Sequence, residues 1–190
     1  ERVGAADDLE EALLGQLLHQ APVPGEHAGV VDADAVQQQL AQVGGVEDAQ
    51  ALVRAHARAR ADGYGFIVYD AYRPLSATRI MWDVTPRQYR NYVANPKKGS
   101  KHNRGCAIDL TLCDARTGEP LEMPTPFDEF SARAHRDYKG ASGAAIANRQ
   151  RLQSYMEAEN FRGMSNEWWH FDYRGWEDFP VRDTAFDDIA

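Results

Sequence analysis

The sequence predicts an α+β fold in which a small, mostly antiparallel sheet is flanked by helices. Three segments have the composition of strands, and segments with helical periodicity separate them along the chain. At least one pair of these strands can form a hairpin, which is typical of α+β proteins. The chain has 190 residues, a length that fits one domain. We therefore predict a single domain over residues 1–190.

Two helices are predicted before the first strand. Residues 10–19 form a short amphipathic pattern with four leucines, inside an acidic segment, 1–45, that is rich in Ala and Gln. Residues 47–61 form a longer helical pattern, and Gly63 follows it as the candidate C-cap. Three residues mark the inner face of this second helix: Leu52, Val53 and His56.

The first strand is predicted at residues 64–70. It is apolar on both faces, so we expect it to be a central strand of the sheet. Pro74 ends it, because proline cannot donate a hydrogen bond to a neighbouring strand. Two short helices are predicted at 76–84 and 85–93, the second of which begins near a proline. A loop over residues 95–105 leads into the next strand.

The second strand is predicted at residues 106–113, CAIDLTLC. Cys106 and Cys113 flank it at a spacing of seven, which directs their side chains to opposite faces. A disulfide between them is therefore not expected, and we predict two reduced, buried thiols.

A long loop, a helix and a last strand complete the predicted fold. Residues 118–138 form a loop interrupted by prolines, and long ordered loops in compact domains are usually functional. The helix is predicted at 143–161 and the strand, NEWWHFDY, at 166–173. Four residues share the apolar face of this helix: Ile146, Leu152, Tyr155 and Met156.

The overall charge and hydropathy exclude two classes of protein. A formal net charge of −8 at pH 7 argues against nucleic-acid binding, which usually needs a basic face. No apolar run approaches membrane-spanning length, and no signal peptide is recognised. We expect a cytoplasmic protein, with a periplasmic or exported one as the alternative, because the sequence starts at Glu1 and not at Met.

A carboxylate in the middle of a buried strand marks the candidate site. Asp109 shares the small, polar face of the second strand with Ala107 and Thr111. His102 lies seven positions earlier, and a turn at Gly105 would fold it back over Asp109. A histidine and a carboxylate are a common start of a zinc site, although such a pair is more often a structural hydrogen bond.

His170, in the aromatic last strand, is the third candidate ligand. A lone histidine in such a strand is usually a core residue, but Glu167 lies only three positions before it. Both side chains reach one site only if Glu167 lies on irregular backbone at the start of the strand. Two histidines and a carboxylate would leave a fourth zinc position for water, with Glu167 as the general base.

Four motifs, in this order along the chain, resemble one known family. SKHNRGCAID and EWWH are similar to the S-x-H-x-x-G-x-x-x-D…E-x-W-H signature of the VanX-type D-Ala-D-Ala dipeptidases, which belong to the zinc D-Ala-D-Ala peptidases. YDAYRP and MPTPFDEFSARAH fit the same subfamily, so the matching blocks span residues 64–173. The resemblance implies a Hedgehog/DD-peptidase-like fold, one zinc ion per chain and hydrolysis of D-Ala-D-Ala to two D-alanines by a zinc-activated water. It also implies a connection to the cell wall and to antibiotic resistance.

The resemblance assigns the catalytic and metal-binding roles residue by residue. Three residues match the zinc ligands of the family: His102, Asp109 and His170. Glu167 matches the catalytic base, and Arg73 matches an arginine that stabilises the tetrahedral intermediate. Without the resemblance, Arg73 would be interpreted as a structural ion-pair partner of Asp70.

Two further matches concern binding of the dipeptide. Asp128 matches a family acid near the free amino group of the substrate, with Glu129 as the competing candidate and a helix cap or solvated loop acid as the alternative. Ser100 matches a substrate-contacting hydroxyl, and the alternative is a residue that only stabilises its turn.

Two other functions stay open on the sequence alone. One is a D,D- or L,D-carboxypeptidase acting on longer peptidoglycan peptides, and the other is a zinc-bearing binding module without catalysis. Residues 1–45 lack the aromatic, Asn-bearing stretch that usually helps wall the pocket in the family. This departure predicts either a different closure of the site or an altered substrate range.

Overall fold

The computed structural model describes residues 46–90 and 92–189. In this part the chain is α+β, as predicted, and its longer elements number three helices and four strands. In chain order they are α1 Val46–Ala61, β1 Tyr64–Asp70, α2 Leu75–Val84, β2 Ala107–Asp114, α3 Gly143–Glu157, β3 Phe161–Gly163 and β4 His170–Tyr173. The helix predicted at 10–19 lies outside the described residues, and a single domain over 1–190 stays a prediction.

The four strands form one antiparallel sheet in the order β1-β2-β4-β3. β2 is an inner strand, and every residue of it except the last is buried. β1 lies at an edge, so the prediction that it is central is wrong. Its composition is that of a covered strand because α1 packs against it and Phe127 stacks on its Tyr69, although β2 is its only strand neighbour among the described residues.

Helices α1 and α3 pack against the sheet and close the apolar core. α1 buries Leu52 together with alanines one turn apart, so small side chains let the helix approach closely. Val53 and His56, predicted on the inner face of α1, are only partly buried. α3 buries Leu152, Tyr155 and Met156 as predicted, and Ile146 is partly buried.

Three predicted boundaries differ from the structure. The helix predicted at 85–93 is a single 3₁₀ turn, Arg87–Tyr89, in the described residues. The helix predicted to end at 161 ends at Glu157, because Asn160 adopts a left-handed backbone (φ 69°) and turns the chain into β3. The last strand begins at His170, four residues later than predicted, which leaves Glu167 outside it.

Two further predictions, for Gly63 and for the cysteines, agree with the structure. Gly63 follows α1 with a φ of 86°, the left-handed conformation expected of a C-cap glycine. Cys106 and Cys113 are buried, free thiols. Among the described residues, no helix is both long enough and apolar enough to cross a membrane.

Candidate active site

The candidate site lies where three strands meet at one register position. Asp109 on β2 is paired with His170 on β4 on one side and with Asp70 on β1 on the other. The pairing of β1 shifts by one residue between Val68 and Asp70, which is a β-bulge. Bulges reorient side chains next to the extra residue. Asp70 thereby comes opposite Asp109, at the end of β1.

His102 reaches the site from a 3₁₀ turn that precedes β2. Gly105 ends this turn with a φ of 71°, so the chain folds back as its sequence position predicted. The Nδ1–H of His102 donates to the carbonyl of Ala71 at 2.7 Å, which leaves the lone pair of Nε2 facing the site. Asn103 fixes the turn, because its buried amide donates to the carbonyl of Arg73 at 2.7 Å and to the Thr78 hydroxyl at 2.8 Å.

The three predicted ligands converge. His102 Nε2 lies 3.3 Å from His170 Nδ1 and 3.6 Å from an Asp109 carboxylate oxygen. His170 Nδ1 lies 2.8 Å from the other Asp109 oxygen. One ligand atom from each residue falls within 4.8 Å of the others, and all three residues are buried. This arrangement can hold a metal ion.

A second layer of polar groups orients His170. Its Nε2–H donates to the carboxylate of Asp172 at 2.9 Å, so Nδ1 is the nitrogen presented to the cluster. Lys101 donates from Nζ to the other oxygen of Asp172 at 2.6 Å. A carboxylate behind a metal-binding histidine is the usual second partner in such sites, because it fixes the ring and raises its basicity.

Glu167 lies beside the cluster on irregular backbone, as the spacing to His170 required. One of its carboxylate oxygens is 4.0 Å from His170 Nδ1. Arg136 holds this segment: its guanidinium donates to the carbonyls of Met164 at 2.7 Å, Trp168 at 3.1 Å and His170 at 2.9 Å. Glu167 lies between these anchor points in the chain.

Arg73 lies on the Asp70 side of the cluster. Its guanidinium donates to the carboxylate of Asp70, so the structural ion pair considered for it is present. Burial disfavours its charge, but Asp70 and Asp109 outweigh that effect and raise the pKa of Arg73. Arg73 therefore stays a cation next to the candidate metal ligands.

Asp128 and Ser100 have different surroundings. Asp128 is partly buried, and its charge interacts with those of Arg73, Asp109 and Glu167, so it lies near the cluster. The hydroxyl of Ser100 accepts from the backbone N–H of Asn103 at 3.2 Å. That contact stabilises the turn of His102. In the described residues, no hydrogen bond joins Ser100 to the cluster itself.

Comparisons with known proteins show the family of this chain. A family model described as D-Ala-D-Ala dipeptidase matches residues 27–188. The chain belongs to the D-Ala-D-Ala dipeptidase family. Proteins named D-alanyl-D-alanine dipeptidase share 38% identity over 136 residues in Escherichia coli, 36% over 165 in Enterococcus faecium and 36% over 157 in Enterococcus faecalis. These alignments cover 72, 74 and 73% of this chain, and 69, 80 and 75% of the respective relatives.

Carboxylates outnumber cationic side chains at the site of this family member. Burial raises the pKa of Asp128, and the charges of Asp109 and Glu167 contribute, so that it reaches about 7. Burial likewise raises the pKa of Glu167. Burial opposes the charge of His170, but the carboxylates of Asp109 and Asp172 raise its pKa to about 10. The site therefore favours cations, and its two imidazoles and one carboxylate are donors that suit zinc.

Sequence reasoning did not identify Asp172 or Arg136, both of which support the site. Asp172 had a detectable signal, because it lies two positions after His170 and residues two apart share a face of a strand. Arg136 gave none, since its three acceptors are carbonyls between 28 and 34 positions away. Backbone acceptors of this kind cannot be recognised from residue types.

Proposed function

We propose that this protein is a zinc-dependent D-Ala-D-Ala dipeptidase, which hydrolyses the free dipeptide to two molecules of D-alanine. One observation carries the proposal: one nitrogen from each of His102 and His170 converges with the carboxylate of Asp109 within 4.8 Å. The names of these three relatives, all D-alanyl-D-alanine dipeptidases, supply the substrate class. Removal of this dipeptide would withdraw a building block of the bacterial cell wall.

The donor set suits one zinc ion per chain. His102 would offer Nε2, since its Nδ1 donates to the carbonyl of Ala71. His170 would offer Nδ1, which faces Asp109 inside the cluster, while its Nε2 faces Asp172 behind it. When bound, zinc supplies a Lewis acid that activates water and polarises the scissile carbonyl. Three protein ligands leave a position open, which is the arrangement of catalytic rather than structural zinc sites.

Glu167 is proposed as the general base. Its carboxylate is next to the cluster, 4.0 Å from His170 Nδ1, but outside the set of converging ligand atoms. Burial raises its pKa, which brings a carboxyl group closer to the neutral range in which it can both take and return a proton. Glu167 would accept the proton of the attacking water and deliver it to the leaving amine.

Arg73 is proposed to stabilise the oxyanion that develops on the substrate carbonyl. A guanidinium stays charged and presents several N–H donors in a fixed plane. The ion pair with Asp70 supports this role, because it uses part of the fork and fixes the direction of the rest. The structural ion pair of Arg73 with Asp70 and its proposed catalytic role are therefore compatible.

Two residues are proposed to contact the dipeptide. Asp128 would accept the free ammonium group, and the crowding of its carboxylate by Asp109 and Glu167 supports this, because a bound cation would relieve their repulsion. Ser100 is proposed as a substrate-contacting hydroxyl in addition to its role in the turn.

A Hedgehog/DD-peptidase-like fold over a single domain belongs to the same proposal and is supported by the antiparallel sheet that carries the site.

Release of D-alanine from three substrates tests the proposed function. The zinc-loaded protein is incubated with D-Ala-D-Ala, N-acetyl-D-Ala-D-Ala and a pentapeptide that ends in D-Ala-D-Ala. We expect release from the free dipeptide, because only that substrate places an ammonium group near Asp128. Release from the blocked or long substrate instead would indicate a carboxypeptidase. No release from any substrate, with zinc bound, would favour a binding module.

A further inference from the structure

Two ring stacks hold the loop that contains Asp128. On one side of Asp128, Phe127 stacks on Tyr69 of β1, with ring centroids 4.3 Å apart and planes inclined by 21°. On the other side, Phe130 stacks on Tyr92, with centroids 4.6 Å apart and planes inclined by 24°. The Asp128 loop is therefore attached to β1 at one end and, at the other, to the segment that follows α2.

The backbone of Asp128 needs such support. Its φ is 59°, in the left-handed region that residues other than glycine seldom occupy. Within the described part of the chain, the carboxylate of Asp128 makes no hydrogen bond, and it interacts with the charges of Asp109, Arg73 and Glu167. The backbone that carries Asp128 is held by the two flanking ring stacks, together with the hydrogen bonds that Ser131 donates to Glu129.

The two stacks differ in their relation to the core. Phe127 packs against the core cluster and contacts Trp169 edge to face at 5.5 Å. Phe130 lies outside that cluster and is 43% exposed, which is unusual for a phenylalanine. The stack of Phe130 on Tyr92 therefore contributes little to the core. It connects the Asp128 loop to the segment of Tyr92.

We propose that Phe130 and Tyr92 are positioning residues for substrate recognition: their stack holds the Asp128 carboxylate where the free ammonium group of the dipeptide binds. This inference rests on the proposed function, in which Asp128 accepts that ammonium group. Neither ring touches the reacting atoms. Their effect is on the affinity for the free dipeptide and not on the chemical step.

A double-mutant cycle tests the positioning role. D-Ala-D-Ala hydrolysis is measured for the zinc-loaded wild type and for Phe130→Ala, Asp128→Asn and the double variant. We expect Phe130→Ala to raise KM about tenfold and to leave kcat nearly unchanged. A tenfold change in KM is about what the loss of one charge-assisted hydrogen bond to the substrate would cause. In the Asp128→Asn background, Phe130→Ala should have no further effect on KM. Tyr92→Phe keeps the stacked ring and should behave as wild type, whereas Tyr92→Ala should reproduce Phe130→Ala.

Phe186→Ala is the matched control, because Phe186 is 54% exposed and packs edge-on against Tyr72, at 6.2 Å, and not on the Asp128 loop. It should leave KM unchanged. Thermal unfolding of all variants identifies any general loss of stability. An unchanged KM in Phe130→Ala, or equal effects with and without Asp128, would overturn the positioning role alone. An unchanged KM in Asp128→Asn would overturn the ammonium-binding role of Asp128 and, with it, this inference.

Discussion

The contact between Gly163 and Arg136 allows a direct test of how the segment of Glu167 is held. A Cβ built on Gly163 would overlap the guanidinium of Arg136, so Gly163→Ala must displace it. Displacement breaks the three hydrogen bonds that Arg136 donates to carbonyls on both sides of Glu167. The guanidinium also lies over the ring of Phe171, 4.2 Å from its centroid, and would lose that contact.

The size of the effect follows from these hydrogen bonds. Burial lowers the pKa of Arg136 to about 10, so the donor is still charged at neutral pH. A hydrogen bond from a charged group contributes about 1.5–3 kcal/mol, and water can replace part of that at a displaced side chain. We therefore expect Gly163→Ala to lower the free energy of unfolding by about 3 kcal/mol. With a urea slope of about 2 kcal/mol/M, the unfolding midpoint would fall by about 1.5 M.

Equilibrium unfolding in urea of four proteins measures this effect: the wild type, Gly163→Ala, Arg136→Met and the double variant. In the Arg136→Met background the added methyl meets no guanidinium, so Gly163→Ala should have almost no effect. Gly143→Ala is the matched control, because a Cβ at Gly143 meets no atom within 4 Å and the residue begins helix α3. It should be neutral or slightly stabilising. A Gly163→Ala variant as stable as the wild type, or an equal loss with and without Arg136, would refute the reasoning.

Two further predictions concern Asp172 and Glu159. Asp172→Asn should weaken zinc binding about 10–100-fold, because it loses the carboxylate that orients His170; competition with a chelator measures this, and unchanged affinity would rule out the orienting role. Hydrogen bonds from Arg54 and Arg58 hold the pKa of Glu159 below its ordinary value. These contacts therefore stabilise the folded protein fully at a pH above the ordinary pKa of a glutamate. The stabilisation is lost as the pH falls through the lowered pKa that Glu159 has in the folded protein. Glu159→Gln should therefore cost about 1 kcal/mol at pH 7, since the arginines are half exposed, and progressively less below about pH 4. Thermal unfolding of both proteins across this pH range checks the trend, and a difference that does not depend on pH would contradict it.

The convergence of His102, Asp109 and His170 agrees with the sequence prediction, and local rules account for the part of it around β2 and before β4. Alternation along β2 assigned Asp109 to its polar face, and the left-handed preference of Gly105 returned His102 to that face. The three-residue spacing from Glu167 to His170 required irregular backbone before β4, and the structure has it. Each of these inferences used residues fewer than ten positions apart.

The features that the sequence missed depend on contacts between distant segments. β1 was expected at the centre of the sheet because its side chains are covered, but coverage by α1 and Phe127 does not require a second neighbouring strand. β3 has only three residues, too few to interrupt the helical periodicity that precedes it. The left-handed backbone of Asp128 is supported by ring stacks to remote tyrosines, and no local pattern predicts it.

A zinc titration followed by turnover tests the central claim most directly. Chelator-stripped protein is supplied with increasing zinc, and D-alanine release from D-Ala-D-Ala is measured at each step, in parallel with Glu167→Gln. The account predicts that release rises linearly to one zinc per chain and then stops, while Glu167→Gln binds the same single zinc without measurable release. Full activity in the stripped protein, or undiminished release by Glu167→Gln, would contradict it.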